Sequence, residues 1–272
     1  TASPMRWSRT LIPTFKESPE GAEVASHVLM LRAGLISQVM AGVYAYLPLG
    51  LRALHQAAAL VRRELDAAGA VELAMPAMTP PALMERSGRL ESLGEELVQL
   101  TVRRQNRRSQ VVLAPSHEEA VTDLVAHHVS SYRQLPLLVY QIAGVLRNEA
   151  RPRHGLLRTC ELTIHEAHSF DASAEALEQS YQKVLAAYCR VFEHCGLACL
   201  VAEACTDGAE GHALVVPADC GDETIAHCVD CGYAAAVDAA RIGTRDSTAP
   251  DVPLEELRKV DTPGATTIEE VS

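Results

Sequence analysis

The stretch Tyr140–Asp171, YQIAGVLRNEARPRHGLLRTCELTIHEAHSFD, decides how the rest of the chain is read. Tyr140 to Arg147 is apolar and rich in residues that favour extended backbone. Arg151, Pro152, Arg153, His154 and Gly155 supply a basic connection. Leu156 to Phe170 then returns with polar residues at alternate places, so the pattern predicts two strands joined by a loop. Side chains on a strand alternate between faces. Arg147 and Glu149 therefore share one face of the first strand. Arg158, Glu166 and His168 share one face of the second, provided it stays regular that far. Unpaired buried charges are costly, so a core strand has no use for these residues. A site for an anionic, zwitterionic ligand does.

The surrounding chain is large enough for such a site. It has 272 residues, 48% of them hydrophobic, which suffices for one large core or two modest ones. Aromatic residues make up only 4%, so the core must rely on Leu, Val, Ala and Ile. The net charge of −11 argues against a generally basic nucleic-acid binder, and any RNA contact must use local patches. Arg103, Arg104, Arg107 and Arg108 form one such patch, which also reads as a solvated turn between strands. Arg147, Arg151, Arg153 and Arg158 form another. The eight cysteines are scattered, and no signal peptide or long apolar span is visible. The expectation is a reduced, cytoplasmic protein without a membrane span.

Working outward, Glu20 to Ala33 has helical character and stops at Gly34. Gly42 to Gly50 reads as a short strand and turn. Leu51, Leu54, Ala58, Val61, Leu65 and Ala68 recur at steps of three and four, predicting an amphipathic helix that Gly69 ends. Val71 to Met75 is a strand stopped by Pro76. Gln99–Val102 and Gln110–Leu113 make a hairpin across the arginine-rich turn. Ser116 can cap the next helix with Glu119 three residues on, as in a capping box. That leaves Glu118 as the acid without a structural duty. Ser173 caps a long helix that Gly196 ends. Strands follow at Leu197–Ala204 and Ala213–Val216, joined by a turn at Thr206–Gly211. Cys228-Val229-Asp230-Cys231 precedes an alanine-rich helix. From Thr244 the chain is Asp-, Pro- and Thr-rich and reads as a linker.

Four segments, in this order, resemble the bacterial prolyl-tRNA synthetase family of class II aminoacyl-tRNA synthetases. Ala22 to Gly34, with Gly42-Val43-Tyr44 and Leu47-Pro48-Leu49-Gly50, is similar to the family's N-terminus and class II motif 1, with Pro76 as its proline. Pro115-Ser116-His117-Glu118-Glu119 is similar to the family's P-T-H-E-E. Arg147 to Arg153 with Leu157-Arg158 is similar to motif 2. Cys231 to Ala235, followed by Asp261 to Glu269, resembles the approach to the family's inserted editing domain. The resemblance implies an α+β fold, an antiparallel sheet flanked by helices. Residues 1–243 would form the catalytic core with motifs 1 and 2, and residues 244–272 a linker and the start of the insertion. Motif 3 would follow the insertion, so this chain alone is expected to be weak or inactive.

The family joins proline to ATP and then to tRNA(Pro). The resemblance implies ATP and Mg²⁺ as cofactors and a homodimer through motif 1. By resemblance, Arg147 would hold the proline carboxylate and the α-phosphate, Arg158 the triphosphate tail, and Glu149 the adenine side. Glu118 and Ser116 would receive the protonated imino group, and Glu166 and His168 would complete the proline pocket. His212 would keep the histidine place of the family's S-H-E-F segment. Cys160 and Leu162 depart from R-S-R-E-F, and Asp207–Leu214 is an eroded form of the segment that ends in S-H-E-F. These departures leave room for another class of protein, a diverged relative that binds an amino acid or adenylate without charging tRNA. Cys228 and Cys231, with Cys220, His227, Cys205 or His212 near in sequence, offer a zinc-ligand reading. A single C-x-x-C reads better as buried thiols in a turn, and no metal site is assigned.

Overall fold

A computed structural model of the chain describes residues 6–241 except 23, 106, 207–208, 219–220 and 222. The linker and insertion start read at 244–272, and Asp207, Gly208 and Cys220, lie outside the described residues. The elements are α1 (Ala25–Arg32), β1 (Ile36–Met40), β2 (Val43–Tyr46), α2 (Pro48–Ala67), β3 (Val71–Glu72), β4 (Met78–Thr79), α3 (Pro81–Ser87) and α4 (Arg89–Leu93). Then come β5 (Val98–Arg104), β6 (Arg107–Leu113), α5 (Glu118–His128), β7 (Leu137–Leu146), β8 (Glu161–Phe170) and α6 (Ala174–His194). The last are β9 (Leu200–Thr206), β10 (Ala209–Val215), β11 (Ile225–His227) and β12 (Ala234–Ala236).

The site rests on the sheet β3–β7–β8. β7 and β8 pair antiparallel from Leu137 opposite Phe170 to Leu146 opposite Glu161, which sets Tyr140 against Ala167 and Gln141 against Glu166. Directly opposed residues share a face, so Tyr140 and Gln141 look to opposite sides. On Tyr140's side lies a helix-covered core. Leu65 of α2, Ala70, Tyr140 and Ala187 of α6 are buried together, with Val61, Val184 and Tyr188 packed against them. The Tyr140 hydroxyl donates to Asp66 at 2.7 Å. Arg190 of α6 donates to Glu64 of α2 at 2.8 Å, which pins the two helices to each other. With its apolar duty met on that side, the sheet can carry polar groups on the other.

Several local readings need correction. The helix predicted from Glu20 begins only at Ala25, because Pro19 and Gly21, with its φ of +79°, hold a turn before it. Val71 to Met75 is a two-residue strand, parallel to β7. Leu73 still donates its amide to Tyr140, but Met75 gives its amide to the Gln141 side chain. The second strand of the central hairpin starts at Glu161 rather than Leu156. Gly155–Leu157 is a 3-10 turn, and Arg158 is held by an isolated bridge to Arg153. Ala234–Ala236 is no helix but a strand between β11 and β9, where the fully buried Ala235 leaves no room for a larger side chain. The hairpin β5–β6 is longer than predicted and sets Arg103 opposite Arg108. Ser173 caps α6 as expected, accepting from the Ala176 amide at 3.2 Å.

Two measurements check this packing. A methyl group at Gly50 would collide with the carbonyl oxygen of Leu35, which already accepts the Leu47 amide at 2.9 Å. Gly50→Ala is expected to lower stability by about 1–3 kcal/mol in a denaturant titration, whereas Gly144→Ala, with open space around its Cβ, stays close to the parent. The second concerns His165, which meets the Tyr188 hydroxyl at 3.3 Å. Burial pushes its imidazole down from 6.5 to about 4, against a smaller upward pull from Glu166. Between those values the unfolded chain binds the extra proton, so stability is full above the upper one and is lost as pH falls through the window. A loss on the order of 3 kcal/mol is expected from this group, and His165→Gln should remove that share of the slope.

Candidate active site

On the face of β7 and β8 away from the helices, Glu166 is the centre of a buried network. Its Oε1 accepts the backbone amide of His117 at 3.0 Å. Its Oε2 meets the His117 Nδ1 at 2.9 Å and accepts from Gln141 Nε2 at 2.7 Å. Gln141 and His117 are each 1% exposed. A carboxylate so far from water is tolerable only with partners of this kind. With Nδ1–H donating to the carboxylate, the His117 Nε2 points elsewhere, and it is buried without a partner among the described residues. The His168 Nε2 is in the same condition.

His117 lies in the turn between β6 and α5, which also carries Ser116, Glu118 and Glu119. Ser116 does not cap α5. The cap position is His117, without a side-chain cap bond, and the Ser116 hydroxyl instead accepts from Arg89 Nη2 at 2.9 Å. The same guanidinium reaches Glu118 at 2.8 Å and both oxygens of Glu119 at 3.2 Å. Ser87 adds a bond to Glu119 at 2.8 Å. The capping-box reading of Ser116 and Glu119 is therefore replaced by a shared arginine. Burial alone would raise the Glu118 carboxyl, but hydrogen bonds from Ser116, its own amide and Arg89 outweigh it and hold it below the usual range. α3, α4 and α5 enclose a cleft of about 510 Å³ beside this cluster.

Arg147 follows β7 directly, and its amide still bonds across to Cys160 at 2.8 Å. Its guanidinium donates from Nε and Nη2 to the Pro115 carbonyl at 3.3 Å each. Among the described residues no carboxylate lies within ion-pair distance of it. Arg158 differs, because it donates to Glu149 at 2.8 Å. This bond, then the Arg151 amide, lowers the Glu149 carboxyl. The loop between the strands is braced from outside. The Cys160 amide donates to the Gly42 carbonyl at 2.8 Å. A Cβ on Gly42 would come within 2.6 Å of Pro152 and 2.8 Å of the Cys160 sulfur, and one on Gly155 within 2.8 Å of the His27 ring. The small thiol of Cys160 suits that close contact.

The candidates thus fall into three sets. Ser116, Glu118 and Arg147 adjoin one turn, Glu166 is tied to the same turn through His117, and Glu149 and Arg158 pair with each other. His168 shares the face of Glu166, one step along the strand. His212 stands apart, on β10 of another sheet, bonded to the Tyr181 hydroxyl at 2.9 Å, and no described contact links it to the Glu166 network. His117, Gln141 and Arg89 were missed. A glutamine inside the apolar run of β7 was the available signal for Gln141, and nothing in the sequence pointed Arg89 at Ser116. Among the described residues no group of three His, Cys, Asp or Glu side chains gathers as metal ligands.

Residues 100–252 match a family model described as tRNA synthetase class II core domain (G, H, P, S and T). A proline–tRNA ligase of Syntrophotalea carbinolica is 46% identical over 271 residues, which cover 98% of this chain and 47% of that protein. One from Geobacter metallireducens is 45% identical over 273 residues, with the same coverage. The chain spans about half the length of the curated relatives it matches. A solved structure, Giardia lamblia prolyl-tRNA synthetase in complex with prolyl-adenylate, superposes with a TM-score of 0.56 at 20% identity, over 62% of this chain and 35% of that one. That likeness concerns the fold alone.

The network itself is open to test. Glu166→Gln replaces one accepting oxygen by a donor facing donors, so it should cost about 1–3 kcal/mol in a denaturant titration, read beside the parent at neutral pH.

Proposed function

The chain belongs to the class II tRNA synthetase core family (G, H, P, S and T), and from that premise we propose that it supplies the amino-acid-activating part of a proline–tRNA ligase. One observation carries the reading. Arg147, whose charge has no acidic partner among the described residues, is bonded to Pro115, the neighbour of Ser116 and close in sequence to Glu118. A cation and an ionised carboxylate thus adjoin one turn, as a zwitterion requires. The relatives named proline–tRNA ligase add the choice of amino acid.

In this reading the proline carboxylate attacks the α-phosphate of ATP. An oxygen–phosphorus bond to proline forms as the bond to pyrophosphate breaks, giving prolyl-adenylate. Both reactants are anionic, and Arg147 offsets their repulsion and the charge that builds up during transfer. Glu118 and Ser116 receive the imino group. Glu166, held rigid by His117 and Gln141, and His168 close the pocket around the ring. Arg158 takes the phosphate tail and must first leave Glu149, which then turns to the nucleotide. Mg²⁺, when bound, supplies charge to the phosphates. It takes few protein ligands and keeps several waters, so it needs no preformed cluster of acids. The second step passes proline to the 3′ end of tRNA(Pro). A homodimer through the motif 1 region and a cytoplasmic site of action belong to the same proposal. No helix among the described residues is long and apolar enough to cross a membrane.

The test is proline-dependent exchange between ATP and pyrophosphate by the full-length protein. Exchange with proline is expected, and Arg147→Ala is expected to lower it by at least about 100-fold. Near-normal exchange in that variant would remove Arg147 from the reaction. No exchange with any amino acid would favour a relative that binds without charging. The 272-residue chain alone is expected to exchange far more weakly than the full-length protein.

A further inference from the structure

We infer that Cys228 and Cys231 form a thiol–disulfide couple, in which Cys228 attacks a small-molecule disulfide such as oxidised glutathione and Cys231 then closes the protein disulfide. The two cysteines occupy the loop between β11 and β12, in the sheet β10–β9–β12–β11 rather than the sheet that carries Glu166. They are not the buried thiols that the sequence suggested, because Cys231 is exposed and Cys228 only partly covered. Among the described residues no third His, Cys, Asp or Glu gathers with them to complete a metal site.

The backbone brings the two residues together. His227 pairs with Ala234 at the end of the β11–β12 ladder, and the Cys228 amide donates to the Tyr233 carbonyl at 2.8 Å. Inside the loop so closed, the Gly232 amide donates to the Cys228 carbonyl at 2.9 Å. A bond from residue i+4 back to residue i encloses one turn of helical backbone. Gly232, at φ +74°, ends that turn in the left-handed region, as a glycine just past a helix does. On such a turn positions i and i+3 are neighbours on one side, with Cα atoms about 5 Å apart. Disulfides span Cα separations of about 4.4–6.8 Å. A bond between Cys228 and Cys231 therefore closes without pulling the strands apart. Val229, between them, is 89% exposed, so the loop tip stands in solvent where a disulfide can approach.

The order of attack follows from the surroundings. Hydrogen bonding from the Cys231 amide, then from its thiol and the Asp230 amide, holds the Cys228 thiol below its usual range. Burial does the reverse to Cys189 of α6, whose thiol is pushed up. The thiolate is the attacking form. The Cys228 thiolate attacks one sulfur of oxidised glutathione, the S–S bond breaks, and one glutathione leaves as its thiolate and takes a proton from water. Cys231 then gives its proton to solvent. Its thiolate attacks the Cys228 sulfur of the mixed disulfide and expels the second glutathione, which is protonated in turn. Two protein thiols and one disulfide become one protein disulfide and two glutathione thiols. The closing step is intramolecular, since the turn holds Cys231 beside the mixed disulfide. In a reducing setting the pair rests as a dithiol and closes when oxidised glutathione accumulates.

The experiment equilibrates the full-length protein with mixtures of reduced and oxidised glutathione, blocks the remaining thiols with N-ethylmaleimide and cleaves the chain after Asp230. Cleavage there separates Cys228 from Cys231 unless a disulfide joins the fragments, and mass spectrometry reads which. The joined fragments are expected to increase with the oxidised share of glutathione and to disappear when reduced glutathione is added in excess. Cys231→Ser is expected to stop at a mixed disulfide on Cys228. Cys228→Ser is expected to take up glutathione on Cys231 at least about 10-fold more slowly, and Cys228→Ala replaces it if that variant fails to fold. Both thiols free at every mixture, a disulfide mapped to other cysteines in place of this one, or equal uptake by the two single variants would overturn the inference. So would about one zinc per chain in protein purified under reducing conditions, lost in Cys228→Ser and shielding both thiols from maleimide, since the loop would then be half of a metal site.

Discussion

The rest of the site hangs on one buried carboxylate. Glu166 sits on a sheet floor at 8% exposure and survives there because His117 and Gln141 deliver three donors to it. Those bonds join β8 to β7 and to the turn that starts α5. Gln141 extends the tie, because its other end accepts the Met75 amide beyond β3. Four pieces of chain distant in sequence are therefore fixed around one charge. A buried carboxylate is a poor source of net stability, since desolvation offsets most of what its hydrogen bonds return. Its value is geometric, as losing any one partner leaves a polar group stranded.

The second constraint is division of labour between the two faces of the sheet. Tyr140, Leu65 and Ala187 make the side toward α2 and α6 apolar, and Tyr140's hydroxyl is satisfied by Asp66 at the edge of that cluster. Because that side supplies the burial, the other side is free to hold charges at close range. Arg147 and Arg158, at either end of the loop between β7 and β8, are in different states. Arg147 bonds only to a carbonyl and keeps its charge available to a ligand. Arg158 is paired with Glu149 at 2.8 Å. In the proposed reading, one arginine serves both reactants and the other only the nucleotide.

The loop between β7 and β8 is braced by the N-terminal hairpin and by α1 as well as by its own bonds. Gly42 and Gly155 both have positive φ, and each packs against a ring or a thiol with no room for a Cβ. Cys160, odd beside the arginine of the resembled motif, fits as the small partner of Gly42. A longer side chain at position 160 would require a different path for the hairpin that carries Gly42.

By itself the sequence determined the two strands of the central hairpin and the alternation that sets Glu166 and His168 on one face, because strand alternation needs only local backbone geometry, but it carried the second strand too far back and so included Arg158. It determined α2 and α6 for the same reason, through apolar residues at helical spacing and glycine stops at Gly69 and Gly196. It also carried the family, through short motifs in a fixed order. Only the tertiary structure decided which charges pair. Arg89 and Glu118 stand 29 residues apart, and His117 and Glu166 stand 49 apart. Whether such groups come within 3 Å depends on how α3, α5 and the sheet pack, and on a left-handed turn at Gly88 that aims one side chain. Capping by Ser116 was one local reading, but α5 begins with His117 at its cap position, and the Ser116 hydroxyl meets a guanidinium distant in sequence instead.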